Sequence, residues 1–120
     1  MLVAEDNGRL RRLLSLQFES LGVGVDFVPD GVQALEAIKR RGYALVLMDC
    51  QMPNMDGLTA TRLIRELEQK AGGHMPIVAM TANAFAEDRA ACIAGGMDDF
   101  LGKPVRLDDL RRMVSRYAAS

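Results

Sequence analysis

Five polar side chains stand where this chain leaves its apolar runs. Glu5 and Asp6 follow Leu2-Val3-Ala4, Asp49 follows Ala44 to Met48, Thr81 follows Ile77 to Met80, and Lys103 follows Phe100-Leu101. The longer runs have the pattern of strands buried on both faces. Beyond Asp49, Pro53 and Asp56-Gly57 force a loop before a helical pattern begins. Carboxylates in β-to-α turns lie where open α/β sheets place their chemistry. Three carboxylates gathered at one edge cannot all stay ionised without a counter-charge. Either a pKa rises or a cation binds, and hard oxygen ligands with water suit Mg2+. Lys103 adds a flexible ammonium that can pair with a carboxylate or a phosphoryl oxygen, and Thr81 adds a hydroxyl. The set describes phosphoryl transfer to Asp49 as nucleophile, with cationic groups neutralising charge on the transferred group.

Positioning these groups requires a strand before each and a helix after it. Leu10, Leu13, Leu14, Gln17, Phe18 and Leu21 mark one face of a first helix, stopped by Gly22 and Gly24. Val23, Val25 and Phe27 alternate as a second strand nearer an edge. Asp30 can N-cap a helix bearing Ala34, Leu35 and Ile38, which Gly42 ends. Ala60, Leu63, Ile64 and Leu67 predict a third helix that runs to Gly72-Gly73. Ala86 to Gly96 reads as a fourth helix with Ile93 as its one large apolar group, and Leu107, Leu110, Val114 and Tyr117 share one face of the last. Five strands alternating with five helices predict an α/β fold with a parallel sheet covered on both sides. The flavodoxin-like order 2-1-3-4-5 suits five strands and makes strands 1 and 3 neighbours at the switch point. Glu5, Asp6 and Asp49 then share an edge with Thr81 and Lys103.

Composition narrows the classes. The 120 residues, 49% apolar, read as one domain over 1–120 with one real core. A net charge of −1 sets up no field for nucleic acid or anionic membrane, so direct contact with either is not expected. No run has transmembrane length and no signal peptide is visible. Cys50 and Cys92 lie apart in sequence and His74 is the single histidine, which argues against a zinc site or a Cys/His nucleophile pair. Two free cysteines fit the reducing cytoplasm. Cys50 is expected to pack beneath the site, and Met48, Met80 and Met97 to fill core gaps.

The chain as a whole resembles a response-regulator receiver domain of the CheY-like family. The resemblance is carried by Glu5-Asp6, by Met48-Asp49-Cys50-Gln51-Met52-Pro53-Asn54-Met55-Asp56-Gly57, by Thr81-Ala82, by Phe100 and by Lys103-Pro104. It implies that Asp49 accepts a phosphoryl group from a phosphohistidine on a histidine kinase or histidine phosphotransfer protein. It also implies that Asp6, Asp49 and the backbone carbonyl of Gln51 hold Mg2+, with Glu5 acting through water. Lys103 would pair with Asp49 and then with its phosphate, across a Lys103-Pro104 bond that is often cis in similar domains. Thr81 would close on a phosphate oxygen and Phe100 would turn inward, altering the surface of helix 4, strand 5 and helix 5. Phe100 lacks a tyrosine hydroxyl, so no switch that needs one operates here. Arg9, Arg12 and Leu16 on the outer side of helix 1, with Pro104, Val105 and Arg106, are candidate docking residues for the donor. Gln51 and Asn83 flank the site where similar domains tune hydrolysis.

The wording of the Asp49 segment and of Ala79-Met80-Thr81-Ala82-Asn83-Ala84 resembles receivers fused to hybrid sensor kinases. A start inside strand 1 fits a piece of a longer protein. A stand-alone or output-linked regulator and a weak homodimer remain alternatives. An Mg2+-dependent haloacid-dehalogenase-like phosphatase would want a second Asp two residues after the nucleophile, where Gln51 stands. A flavodoxin-type binder would want a phosphate loop where Glu5 and Asp6 stand. A degenerate receiver that only binds partners would not need all five groups.

Overall fold

Short apolar strands and one-faced helices bury their apolar surfaces together when the strands form the middle layer. A computed structural model, which describes residues 1–82 and 86–117, has this arrangement. In chain order the elements are β1 Leu2–Ala4, α1 Gly8–Ser20, β2 Asp26–Val28, α2 Gly31–Arg40 and β3 Val46–Asp49. They continue with α3 Gly57–Ala71, β4 Ile77–Thr81, α4 Ala86–Ala94, β5 Asp99–Gly102 and α5 Leu107–Tyr117. The strands pair in parallel in the order β2-β1-β3-β4-β5, as the sequence predicts.

The alternation of side chains along each strand divides the core in two. Leu2, Ala4, Val46, Met48, Ile77 and Ala79 face one helical layer, where Ala34 of α2, Ala60 and Ile64 of α3 and Cys92 of α4 meet them. Val3, Leu47, Val78 and Met80 face the other, packing against Leu14 and Phe18 of α1 and Leu110 and Met113 of α5. Every residue of β1, β3 and β4 is buried, whereas β2 and most of β5 are partly exposed. That is the expected difference between central and edge strands.

Several expected boundaries and faces differ. The second strand begins at Asp26, because three-residue β1 offers partners only for Asp26, Phe27 and Val28. Val23 and Val25 precede it and still pack on the α1/α5 side. Leu13 lies off the apolar stripe of α1 and is 44% exposed. It stands about 100° around the helix from Leu14. Ile93 is exposed on α4, and Cys92 and Met97 make that region's buried contacts instead. Asn83 lies outside the described residues.

The turn from β3 into α3 is set by close backbone packing. Asp56 caps α3 by accepting the Thr59 N–H at 2.8 Å, and Gly57 N–H donates to the Cys50 carbonyl at 3.3 Å. A Cβ on Gly57 would collide with the Asp49 carbonyl oxygen. Asn54 adopts a left-handed backbone (φ 67°). This conformation is easier for Asn than for most residues. Its side-chain amide donates to Asp30 at 2.9 Å, while Gly31 N–H donates to the Met55 carbonyl at 3.1 Å. Gly57→Ala therefore destabilises the domain by about 2 kcal/mol or more, the scale of overpacking a rigid site. A urea unfolding midpoint equal to that of the parent protein would refute this.

Candidate functional site

Register brings the polar strand ends together. Ala4 pairs with Met48, so Glu5 and Asp49 come level on neighbouring strands. Asp49 pairs with Met80, which puts Thr81 one step beyond it, and Thr81 pairs with Gly102, just before Lys103. Backbone bonds extend the ladders into the site. Glu5 N–H donates to Val28 at 2.9 Å, Cys50 N–H to Met80 at 3.0 Å and Lys103 N–H to Thr81 at 2.8 Å. The Lys103-Pro104 peptide is cis.

One carboxylate oxygen from each of Glu5, Asp6 and Asp49 falls within a group whose members all lie within 4.8 Å of one another. Glu5, Asp49 and Thr81 are buried, and Asp6 is exposed. The Lys103 ammonium donates to Asp49 Oδ2 at 3.0 Å and stands 3.5 Å from Glu5 Oε2. The Gln51 N–H donates to Asp49 Oδ1 at 3.1 Å. Asp49, Cys50, Gln51, Thr81, Ala82 and Lys103 line a cleft of about 70 Å³. A much larger groove of about 1000 Å³, lined by Tyr43, Ile64, Leu67, Met75 and Tyr117 among others, lies between the C-terminal ends of α2 and α3 and contains none of these groups.

The electrostatics follow from burying like charges together. Burial first, and then hydrogen bonding and repulsion from Asp49, push the Glu5 carboxyl up to about 8, with Lys103 pulling the other way. Burial also disfavours the Lys103 ammonium, but Asp49 and Glu5 outweigh it and raise its pKa above the usual lysine value. Glu5 Oε1 accepts the Asn7 N–H at 3.3 Å, whereas buried Oε2, 3.5 Å from the Lys103 ammonium, has no hydrogen bond among the described residues. A buried acceptor without a donor costs free energy unless a cation or water reaches it. This buried oxygen without a hydrogen bond, together with the hard-oxygen cluster, fits a divalent cation such as Mg2+.

The other candidate residues divide. Phe100 is half-buried, and the Arg89 guanidinium of α4 lies 4.3 Å from its ring centroid. Arg9, Arg12 and Leu16 share the exposed side of α1, with Leu16 60% exposed, and Pro104 and Arg106 are exposed as well. Val105 does not join them. It is 3% exposed in the α1/α5 core, and its carbonyl accepts from Gln17 at 3.0 Å, so it cannot present a side chain to a donor. Cys50 packs against the core as expected. Burial and neighbouring Cys92 push its thiol up to about 12. The two cysteines, distant in sequence, bring their sulfurs to 3.6 Å. Sequence reasoning missed this pair and also the partnerships of Lys103 with Glu5, Asn54 with Asp30, and Arg89 with Phe100. Only Asn54, between Pro53 and Asp56, carried a local signal, that of a left-handed turn residue.

Comparison with known proteins places this geometry. Residues 1–115 match the family model described as the response regulator receiver domain. The sensor histidine kinase RcsC of Salmonella typhi is 43% identical over 118 residues, which cover 98% of this chain and 12% of that protein. The chain spans between 6% and 15% of the length of such curated relatives. Among solved structures, the receiver domain of a sensor histidine kinase from Pseudomonas aeruginosa PAO1, with a magnesium ion coordinated in its active-site cleft, matches with a TM-score of 0.88. It is 40% identical, with 99% of this chain and 96% of that one covered. The receiver domain of a Saccharomyces cerevisiae response regulator, crystallised with its histidine phosphotransfer protein, has a TM-score of 0.92 at 27% identity, covering 97% of this chain and 86% of that one. With the family model matched over nearly its whole length and the acidic cluster and lysine gathered at the carboxyl edge of its sheet, the chain belongs to the response regulator receiver domain family, whose members act in phosphorelays.

Proposed function

We propose that Asp49 is the phospho-acceptor of this receiver and that the phosphoryl group comes from a phosphohistidine on a histidine kinase or histidine phosphotransfer protein. The observation that carries this reading is the Lys103 ammonium 3.0 Å from Asp49 Oδ2 inside a three-carboxylate cluster. A carboxylate oxygen of Asp49 attacks phosphorus, the P–N bond to the donor imidazole breaks, and the imidazole leaves with the bonding pair. Lys103 is the charge partner of Asp49 beforehand and of the phosphoryl oxygens afterwards. Asp6, Asp49 and the Gln51 carbonyl would hold Mg2+, with Glu5 acting through water. When bound, the ion would neutralise charge on the transferred group.

Thr81, beside Asp49 in the same cleft, serves as the switch hydroxyl, and Phe100 under Arg89 reports the change on the face of α4, β5 and α5. The donor leans on Arg9, Arg12 and Leu16, with Pro104 and Arg106 beside them. The parent protein is a hybrid histidine kinase, in keeping with the relatives' names, and the domain works in the cytoplasm. Among the described residues, no helix is long and apolar enough to cross a membrane.

Acetyl phosphate with Mg2+ should add one phosphoryl group, read by intact mass, and Asp49→Asn should add none. Uptake by the Asn variant would remove Asp49 from the role. Mg2+ binding at neutral pH should expel close to one proton, because Glu5 holds its own until about pH 8 in the metal-free domain. Calorimetry in buffers of different ionisation heat measures this, and Glu5→Gln should abolish it.

Without metal, the folded domain binds more protons than the unfolded chain between the ordinary carboxyl range and about pH 8, so Glu5 lowers stability as pH rises across that interval. Glu5→Gln should then be more stable than the parent by about 2 kcal/mol above that range. The two should converge at acid pH. Equal urea midpoints at both ends would contradict this. Leu16→Glu should slow transfer from a histidine phosphotransfer protein roughly tenfold, or about 1.4 kcal/mol, and leave acetyl phosphate uptake intact. Unchanged transfer removes α1 from the docking surface.

A further inference from the structure

The two cysteines of this chain are 42 positions apart, yet the Cys50 and Cys92 sulfurs sit 3.6 Å from each other. Cys50 follows Asp49 directly and lines the same cleft as Thr81 and Lys103, while Cys92 sits on α4. Neither thiol has a part in the phosphoryl chemistry above. Cys92 is 3% exposed, whereas Cys50 is partly exposed and lines the cleft, so Cys50 is the residue of the pair nearer to a small oxidant. We propose that Cys50 and Cys92 form a reversible intramolecular disulfide that fastens α4 to the end of β3 and slows phosphorylation of Asp49. The effect on phosphorylation rests on Asp49 being the acceptor; the cross-link itself does not.

The chemistry needs a two-electron oxidant, and a hydroperoxide is the class that fits the opening. The small thiolate fraction of Cys50, kept low because burial and Cys92 push this thiol up, attacks the peroxide slowly. The O–O bond breaks, the thiol proton passes to the leaving oxygen, and a sulfenic acid forms with release of water or an alcohol. The Cys92 sulfur then displaces hydroxide from that sulfenic acid, which leaves as a second water. Two thiols lose two electrons and two protons, and the peroxide takes them up. A disulfide bond is about 2.05 Å long. The sulfurs must therefore approach by about 1.5 Å, and the shift falls on α4 and on the turn after Asp49. Cys50 is fixed by its N–H to Met80 and its carbonyl to Gly57 N–H, so strain there passes directly to its neighbour Asp49 and to Gln51.

The test treats the reduced domain with excess hydrogen peroxide over hours and maps the products by intact mass and non-reducing peptide digestion. Loss of two hydrogens in a monomer, with residues 50 and 92 in one linked peptide and full reversal by dithiothreitol, is the expected result. Cys92→Ser should form no internal link. Oxygen added to the sulfurs without a link, or links only between molecules, would overturn the proposal.

The second arm follows acetyl phosphate uptake in the presence of Mg2+ before and after oxidation. Uptake should fall about tenfold or more, since displacements of about 1 Å beside reacting atoms can cost about a hundredfold. Peroxide-treated Cys92→Ser should not show that disulfide-dependent fall. A complete link with unchanged uptake would overturn the lock. A reduced domain that takes no phosphoryl group at all would instead sink the acceptor reading and leave the link standing.

Discussion

Burial of neighbouring carboxyl groups at the carboxyl edge of the sheet, sharpened by their mutual repulsion, is the constraint on which the site's architecture rests. Glu5 and Asp49 are buried side by side on neighbouring strands, with Asp6 at the rim, and one ammonium stands against them. Unpaired buried charge is among the costliest things a fold can hold. The domain meets that cost in two ways, by raising the Glu5 carboxyl toward its neutral form and by bringing Lys103 across from the far side of β4. Both responses leave the site short of positive charge, which makes it receptive to a divalent cation and to the group that such a cation escorts.

The scaffold is built to hold that unfavourable cluster still. β1, β3 and β4 are buried on both faces, so none can slide to relieve the repulsion without moving its side chains out of register. The loop after Asp49 is pinned at both ends, by Gly57 against the strand and by Asn54 and Met55 against the first turn of α2. At the opposite end of the sheet Arg65 binds Asp98, Glu68 and the carbonyls of Met75 and Gly96, tying α3 to the start of β4 and the entry to β5. The reactive edge is thus braced from a part of the molecule that carries none of its chemistry.

Much of this was legible because double-sided burial writes itself into sequence. The apolar runs before Glu5, Asp49 and Thr81 announce central strands, and the polar residue ending each one marks the edge where chemistry collects. The edge strand β2 was blurred, because Val23 and Val25 pack on the core without pairing in the sheet. Leu13 and Ile93 show that apolar type alone does not choose a helix face, and Val105 shows that a turn residue after proline can fold back into the core. What stayed hidden is what tertiary structure alone creates: the second carboxylate held by Lys103, the guanidinium over Phe100 and the neighbouring sulfurs of Cys50 and Cys92.

Asn7 performs two tasks with two of its groups. Its side-chain oxygen caps α1 by accepting the N–H groups of Arg9 and Leu10, and its own N–H reaches Glu5 Oε1. The first turn of the helix and the most deeply buried acid of the site therefore hang from a single residue. A change in how the N-terminus of α1 sits would therefore alter the one backbone donor that Glu5 Oε1 has from Asn7, so helix cap and acidic cluster share a single anchoring residue.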